Sequence, residues 1–480
     1  MSQPSLPCMA FEYAYEFSDS GTLLGGPTAL PSDLCWVEPK KYYIRDHRIA
    51  DAFGHKLSAV LADWLDVALA SYLADRLSPR AGLIKSRKVR NWRRVIRLKI
   101  PVRRLEIWNR LDVRETLIDL LEFFTDDLWQ IDFIQRRAPG RLSERQDYLF
   151  SHPLQGPLTV ALFSGGLDSF CGAAQQVSKS RDHSFAFVSG VTNSRQRFEQ
   201  REQIKAISRE VGRRVCHVVI PFGLKREGRV SRGSAEEPSQ RTRGFLFLTL
   251  GAVTALNAGA SELSIFENGI GAINLPYDAS QISTANTRAV HPLALLRMSD
   301  FVRTLHGEEF MFKSPFLFQT KGEMCRHPMV QALSAYIPRT FSCDGFPVQT
   351  KNKPQCGSCT SCLLRRLSLQ SAGLSASDPS DRYVADLLTP NIRPSDKQLR
   401  QLRVMEWQYH KMKQLLGSEA PWLRIVSEFP ELQSISVEIS CHSQESEEKT
   451  QKSILKLYSQ YVAEWETFSA RELLAVRRAA

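Results

Sequence analysis

The sequence contains no long apolar run and no targeting pattern. No segment approaches the roughly 18–20 consecutive apolar residues that a membrane-spanning helix needs. Residues 1–13 lack the basic and then apolar order of a secretion signal. We therefore expect a cytoplasmic protein. Ten cysteines are present, four of them between residues 343 and 362, and in such a protein this clustering favours metal or thiol chemistry over disulfides.

The length excludes a single small domain. The chain has 480 residues, of which 43% are hydrophobic and 24% charged, and one hydrophobic core seldom supports so long a globular chain. We predict an α/β N-terminal extension over residues 1–150, an α/β domain over 151–377 that includes the cysteine segment 343–362, and a helical C-terminal region over 378–480.

Acidic residues are absent from residues 85–104, which contain ten Lys or Arg and account for most of the net charge of +12. In the second half of this basic stripe, Arg94, Arg97, Lys99 and Arg103 nearly alternate with apolar residues, which predicts a strand with outward basic side chains. The stripe is either a solvated or protein-contacting face, or a nucleic-acid surface.

The middle of the chain alternates short apolar runs with helical stretches. The apolar runs cover residues 158–163, 184–189, 215–220 and 263–268, and the helical stretches begin at Asp168 and cover 197–212 and 243–258. This order predicts a doubly wound parallel sheet of Rossmann-like type, whose ligands bind at the carboxyl ends of the strands. A polar loop over 225–241 interrupts the pattern and is predicted to lie over the mouth of the site.

The strongest motif directly follows the first of these runs and opens a helix. It consists of Ser164, Gly165, Gly166, Leu167, Asp168 and Ser169. Glycines let the backbone approach an anion, and the new helix directs its free amides at a phosphate. The serines add hydroxyl donors, and Asp168 can help hold Mg²⁺ on a polyphosphate. The Lys of a Walker A loop is absent, which disfavours γ-phosphate transfer.

The four clustered cysteines are Cys343, Cys356, Cys359 and Cys362, with the spacing C-x12-C-x2-C-x2-C. Four thiolates at this spacing suit a closed tetrahedral zinc shell. A catalytic pair that forms a persulfide is the alternative, but it would leave two thiols without a role.

Three further residues are candidates for the site. Arg243 is predicted to begin a helix at the carboxyl edge of the sheet, where it either binds phosphate or a carboxylate or simply lies on the surface. Glu267 and Asn268 follow the last apolar run, where they either contact a ligand or cap the next helix.

These motifs resemble a known family. SGGLDS (164–169) is similar to the PP-loop of the N-type ATP pyrophosphatases. RGFLFL (243–248), SPFLFQTKGEM (314–324) and the cysteine segment resemble elements of 7-cyano-7-deazaguanine synthases, over roughly residues 158–370. The longer architecture resembles the synthase-like proteins of Qat-type anti-phage defence systems.

The resemblance implies an ATP-, Mg²⁺- and Zn²⁺-dependent ligase. Asp168, Lys321 and Arg243 would be catalytic, and the loop and Asn268 would bind the nucleotide. A carboxylate like 7-carboxy-7-deazaguanine would be adenylated with release of pyrophosphate and passed to ammonia or to a protein amine. The family's substrate segment corresponds to residues 267–280, where Asp278 either replaces the family's Asp or a different substrate binds.

Two other functions remain open. In the first, the chain is a PP-loop enzyme that modifies tRNA, which the basic stripe would hold. In the second, it is a nucleotide-binding module without catalytic activity.

Overall fold

The structure is a computed structural model. It describes residues 11–28, 39–80, 93–148, 156–180, 182–225, 236–237, 239–276, 288–345, 353–387 and 395–468. None of the helices in these ranges is both long enough and apolar enough to cross a membrane.

The described residues form one ten-stranded sheet. Its strands are β1 (Phe11–Phe17), β2 (Thr22–Pro27), β3 (Lys40–Ile44), β4 (Arg94–Val102), β5 (Leu128–Gln135), β6 (Leu158–Leu162), β7 (Ser184–Val191), β8 (Cys216–Leu224), β9 (Glu262–Ser264) and β10 (Met311–Lys313). They lie in the order β10-β9-β6-β7-β8-β3-β2-β1-β4-β5. The pairs of β3 with β8, β2 with β3 and β1 with β2 are antiparallel, and the other pairs are parallel. The predicted α/β class with a mostly parallel sheet is confirmed.

The described residues form the following α-helices, given in chain order. They are α1 (His47–Phe53), α2 (Ala59–Leu77), α3 (Leu105–Trp108), α4 (Leu111–Thr125), α5 (Leu142–Arg145), α6 (Leu167–Lys179), α7 (Ser194–Val211), α8 (Arg243–Asn257), α9 (Gly269–Ile273), α10 (Pro292–His306), α11 (Lys321–Cys325), α12 (Pro328–Ala332), α13 (Thr360–Ser371), α14 (Asp396–Leu416), α15 (Pro421–Glu428), α16 (Glu431–Ser443) and α17 (Glu447–Phe468).

The N-terminal strands continue the central sheet. Tyr43 of β3 pairs with Gly223 of β8, and the antiparallel strands β2 and β1 lead on to β4 and β5. The helix α2 is buried over most of its length and packs against α8 and β4. The sheet therefore crosses the boundary that the sequence predicts near residue 150.

The first three apolar runs of the middle region become β6, β7 and β8, as predicted. The fourth run, residues 263–268, forms a strand only up to Ser264, because Asn268 is already the N-cap of α9. Most of the polar loop 225–241 lies outside the described residues. Its described end contacts the N-terminal part of the chain, where Glu236 pairs with Arg76 at 2.9 Å.

Part of the prediction for the basic stripe is wrong, because Arg94 and Arg103 do not face outward. Arg94 is 0% exposed, its Nη2 lies 2.6 Å from Asp75 Oδ1, and it also contacts Asp127. Arg94 is the first residue of β4, and its guanidinium donates a hydrogen bond at 3.1 Å to the carbonyl oxygen of Asp75, near the C-terminal end of α2.

The rest of the described stripe is paired with acidic residues. Arg97 and Lys99 do face outward on β4, and they pair with Glu12 at 2.7 Å and Glu16 at 2.9 Å on the neighbouring β1. Arg103 is mostly buried, and its guanidinium contacts three carboxylates, those of Asp63, Asp66 and Glu144. Residues 85–92 lie outside the described residues.

The C-terminal region is helical in its described part, as predicted. Its helices α14 to α17 pack with α13 around a hydrophobic core of their own. This core contains Leu367, Met405 and Leu457. The helix α17 also packs against α9, so this region covers the end of the sheet at which β9 leads into α9.

Candidate functional site

The loop between β6 and α6 depends on two glycines. Gly165 has φ +80°, a left-handed conformation that disfavours other residues, and a Cβ there would lie 2.9 Å from Gln200 Cγ. A Cβ on Gly166 would lie 3.0 Å from the carbonyl oxygen of Phe341. The Gly165 carbonyl accepts hydrogen bonds from the Phe341 amide and the Gln203 side chain, at 3.2 Å each. The tight turn that the sequence predicts is therefore present and held from two sides.

The helix that follows is open to an anion at its N-terminus. No side chain caps α6 at Gly166, and Asp168 and Ser169 lie in the first turn. Ser164 Oγ accepts a hydrogen bond from the Gly166 amide at 3.1 Å and lies 3.0 Å from Ser169 Oγ. Free amides, two hydroxyls and the positive end of the helix dipole thus point to one side of the loop.

A buried ion pair joins α6 to α11. Lys321 Nζ lies 2.9 Å from Asp168 Oδ2, and Asn268 Nδ2 donates a hydrogen bond to Asp168 Oδ1 at 3.0 Å. All three residues are at most 8% exposed. Asn268 and Lys321, which lie 100 and 153 positions beyond Asp168 in the sequence, therefore meet it at the start of α6.

Glu267 adds a second carboxylate to this pair. Its Oε1 accepts a hydrogen bond from Asn268 Nδ2 at 2.8 Å. Burial and, next, the charge of Asp168 raise the pKa of Glu267 to about 8, although Lys321 opposes the shift. Burial by itself would lower the pKa of Lys321, but the charges of Asp168 and Glu267 raise it above its usual value. Lys321 is therefore charged, and Glu267 holds a proton near neutral pH.

An open pocket connects these groups to the solvent. It is lined by Ser164, Gly166, Asp168, Ser169, Glu267, Lys321, Phe341, Ser342 and Ser361. Hydroxyl, carboxylate and ammonium groups dominate the lining, which suits a charged polar ligand better than an apolar one.

The C-terminal region supports the lysine of this pocket. Thr320 caps α11 directly before Lys321, and its hydroxyl donates a hydrogen bond to Glu464 of α17 at 2.7 Å. Glu464 also accepts a hydrogen bond from Arg326 at 3.0 Å and is 2% exposed. Nothing in the sequence pattern of α17 indicates this contact.

The four cysteines meet in one cluster. Their Sγ atoms all lie within 4.8 Å of one another, and the Sγ atoms of Cys356 and Cys362 are 3.9 Å apart. Zinc–sulfur bonds of about 2.3 Å in a tetrahedron place the sulfurs about 3.8 Å apart. The amides of Cys356, Cys359 and Cys362 donate to sulfurs of the cluster, which stabilises thiolates. The cluster could therefore hold a metal ion such as zinc.

The cysteine cluster borders the pocket. Ser342 precedes Cys343, and Ser361 precedes Cys362 in the first turn of α13, and both serines line the pocket. Ser361 Oγ donates a hydrogen bond to Asp344 at 2.6 Å, which ties the two segments together. The sequence pattern did not single out either serine, although their position beside cysteines predicted to bind a metal was a usable signal.

Other candidate residues lie apart from the pocket. The Arg243 guanidinium stacks 5.2 Å from the centroid of the Phe247 ring, and Arg243 does not line the pocket. Leu167 is 0% exposed in the core, so it contributes its position at the start of α6 and not a side-chain contact. Asp278 lies outside the described residues.

No protein-family model matches the chain, and no curated protein matches it. The function is therefore inferred from the geometry of the pocket and from the cysteine cluster.

Proposed function

We propose that the chain is an adenylating enzyme of the PP-loop type that uses ATP to activate a carboxylate, releases pyrophosphate and passes the acyl group to an amine. The observation that supports it most is the buried Asp168–Lys321 pair, which lies at the open N-terminus of α6 behind a two-glycine turn. The substrate class suggested by the family resemblance is a carboxylate like 7-carboxy-7-deazaguanine, within an anti-phage defence system.

The loop and the lysine share the binding of the phosphates. The amides at the start of α6 and the hydroxyls of Ser164 and Ser169 would contact phosphate oxygens. Lys321 replaces the cation that a Walker A loop would supply, and it reaches the loop from α11. Its fixed, buried charge would stabilise the negative charge that develops on the leaving pyrophosphate.

The two carboxylates fit a magnesium ion. Asp168 and Glu267 offer the oxygen ligands that Mg²⁺ prefers, and both line the pocket. When bound, the ion would supply charge neutralisation on the polyphosphate. Glu267 is protonated in the metal-free site because of burial and of Asp168, so it would lose its proton when the ion binds.

The reaction proceeds in two steps. A carboxylate oxygen of the substrate attacks the α-phosphorus, and the bond to the bridging oxygen of pyrophosphate breaks, which yields an acyl-adenylate and pyrophosphate. The amine nitrogen then attacks the acyl carbon, AMP leaves, and the nitrogen loses a proton. Ammonia and a protein amine are both chemically competent acceptors.

The zinc that we propose for the cysteine cluster has a structural role. Four thiolates complete its coordination and leave no position for water or substrate. By holding Cys343 and Cys362 together, it would also hold Ser342 and Ser361 in the wall of the pocket.

The products of ATP test this function. The purified chain with ATP, Mg²⁺ and 7-carboxy-7-deazaguanine should release AMP and pyrophosphate, resolved by ion-exchange chromatography. Asp168→Asn and Lys321→Met should each lower this rate by about 100-fold or more. Lys179→Met changes the same charge at the exposed far end of α6 and should leave the rate unchanged.

Two outcomes would contradict the proposal. ADP and phosphate as the main products would exclude a pyrophosphatase. ATP that binds at one equivalent per chain without any pyrophosphate release, with or without the acid, would indicate a nucleotide-binding module without turnover.

A further inference from the structure

The inner side of α7 contacts the glycine loop. Gln200 Nε2 donates a hydrogen bond to the Ser164 carbonyl at 2.9 Å, and Gln203 Nε2 donates to the Gly165 carbonyl at 3.2 Å. Both glutamines are buried. A molecule bound to the outer side of the same helix would lie about one helix diameter, roughly 10 Å, from the candidate site.

The outer side of α7 combines arginines with an exposed ring. Arg197 and Arg201 are four residues apart and thus neighbours on one face. Phe198 is 56% exposed beside them, and the exposed Arg48 of α1 lies near enough to influence Arg197. We call these four residues the α7 surface.

The arginines of the α7 surface are not neutralised within the described part of the chain, where Arg48, Arg197 and Arg201 form no ion pair with a carboxylate. The nearest acidic residues of α7 are already engaged, Glu199 by Arg339 at 3.0 Å and Glu202 by Lys205 at 2.8 Å.

The positive charges of the α7 surface repel one another, and a bound polyanion would relieve this repulsion. The charge of Arg201 above all, then burial and the charge of Arg48, lower the pKa of Arg197. Like charges four residues apart destabilise a helix. Such an arrangement is favourable once a partner with several negative charges binds across it.

The exposed ring decides between two kinds of polyanion. The Arg339 guanidinium lies over the Phe198 ring, 5.9 Å from its centroid, and the ring is nevertheless 56% exposed. An acidic peptide would use the arginines and leave the exposed part of this ring without a partner. A single-stranded nucleic acid would place its phosphates on the arginines and stack an unpaired base on the ring, which is how single strands are bound without sequence preference.

We propose that the α7 surface binds single-stranded nucleic acid next to the candidate site. The described part of the basic stripe is a weaker candidate, because its Arg94, Arg97, Lys99 and Arg103 are all paired with carboxylates. Binding at the α7 surface requires no ATP turnover, so it can be tested separately from the enzymatic function.

Fluorescence anisotropy with a labelled single-stranded RNA of about 16 nucleotides tests the proposal. Arg197→Gln/Arg201→Gln should weaken binding by about tenfold or more and reduce the slope of log K against log salt by about 1.4, the value for two lost phosphate contacts. Phe198→Ala should weaken binding of the single strand by about fivefold or more and leave binding of a duplex of the same sequence unchanged.

The matched control is Arg97→Gln/Lys99→Gln, which removes the same charge from β4 and should bind RNA like the unmodified chain. The thermal midpoints of all variants report whether they remain folded. The proposal is wrong if the unmodified chain does not bind RNA, or if both double variants bind equally. It is also wrong if poly-glutamate displaces the RNA at equal charge concentration while Phe198→Ala has no effect, because the surface would then suit an acidic protein.

Discussion

Replacing Lys321 with methionine would remove the cation that pairs with Asp168 and lowers the pKa of Glu267. The side chains of Lys321 and Asp168 are 6% and 11% exposed, so water would screen little of their interaction. Removing one partner of a buried ion pair generally costs roughly 3–5 kcal/mol, because the other charge remains without compensation. We expect Lys321→Met to lose stability on this scale at a pH at which Glu267 is ionised.

The size of this loss should depend on pH in a defined direction. The folded-state pKa of Glu267 is about 8, above its ordinary value of 4.5, so the protonated carboxyl favours the folded state. That contribution is complete below the unfolded pKa and is lost as the pH rises through the folded value. Lys321 lowers the pKa of Glu267, so its removal raises that pKa further. The stability difference between variant and unmodified chain should therefore be smallest near about pH 5 and largest near about pH 9.

Thermal unfolding at several pH values, without nucleotide or Mg²⁺, measures the effect. The midpoint of Lys321→Met should fall by several degrees near about pH 9 and by much less near about pH 5. Lys321→Met/Glu267→Gln should recover part of the loss at high pH, and Lys179→Met should show none. A midpoint shift that is equal at all pH values, or no recovery in the double variant, would refute the proposed charge arrangement.

Three further predictions follow from the fold. Metal analysis should find about one zinc ion per chain, and Cys359→Ser should lose the metal and most of the soluble protein; metal-free soluble protein would contradict this. In denaturant unfolding, Arg94→Met should lower the free energy of unfolding by roughly 3–5 kcal/mol and Arg97→Met by at most about 1 kcal/mol, because Arg94 is buried and Arg97 is exposed. Equal losses in the two variants would contradict this prediction. Deleting residues 1–140 should abolish soluble expression, because the deletion exposes the edge of β8 and the face of α8 that packs against α2. A soluble, folded remainder would show that this edge and this face do not need the N-terminal residues for stability.

The sequence predicts local features well, because neighbouring residues specify them. The turn at Gly165 and Gly166 needs small residues between an apolar strand and a helix, and all of these are adjacent in the chain. The cysteine cluster is also local, since three of its members lie between residues 356 and 362. Arg94 shows where local patterns fail. Its place in an alternating pattern predicted an exposed side chain, but Arg94 is buried because it bonds to the buried Asp75 and Asp127.

The sequence alone thus determined the α/β class, the strand, turn and helix of the glycine loop and the set of cysteines, because spacing and periodicity along the chain specify each of them. Only the tertiary structure decided which distant side chains share an environment. It brings Glu267 and Lys321 to Asp168 and places Glu464 in contact with Thr320, next to the lysine. It also joins the N-terminal strands to β8 and leaves the arginines of α7 without carboxylate partners in the described part of the chain. Burial and charge interactions depend on distances in space, and for these groups no regular spacing in the sequence reports those distances.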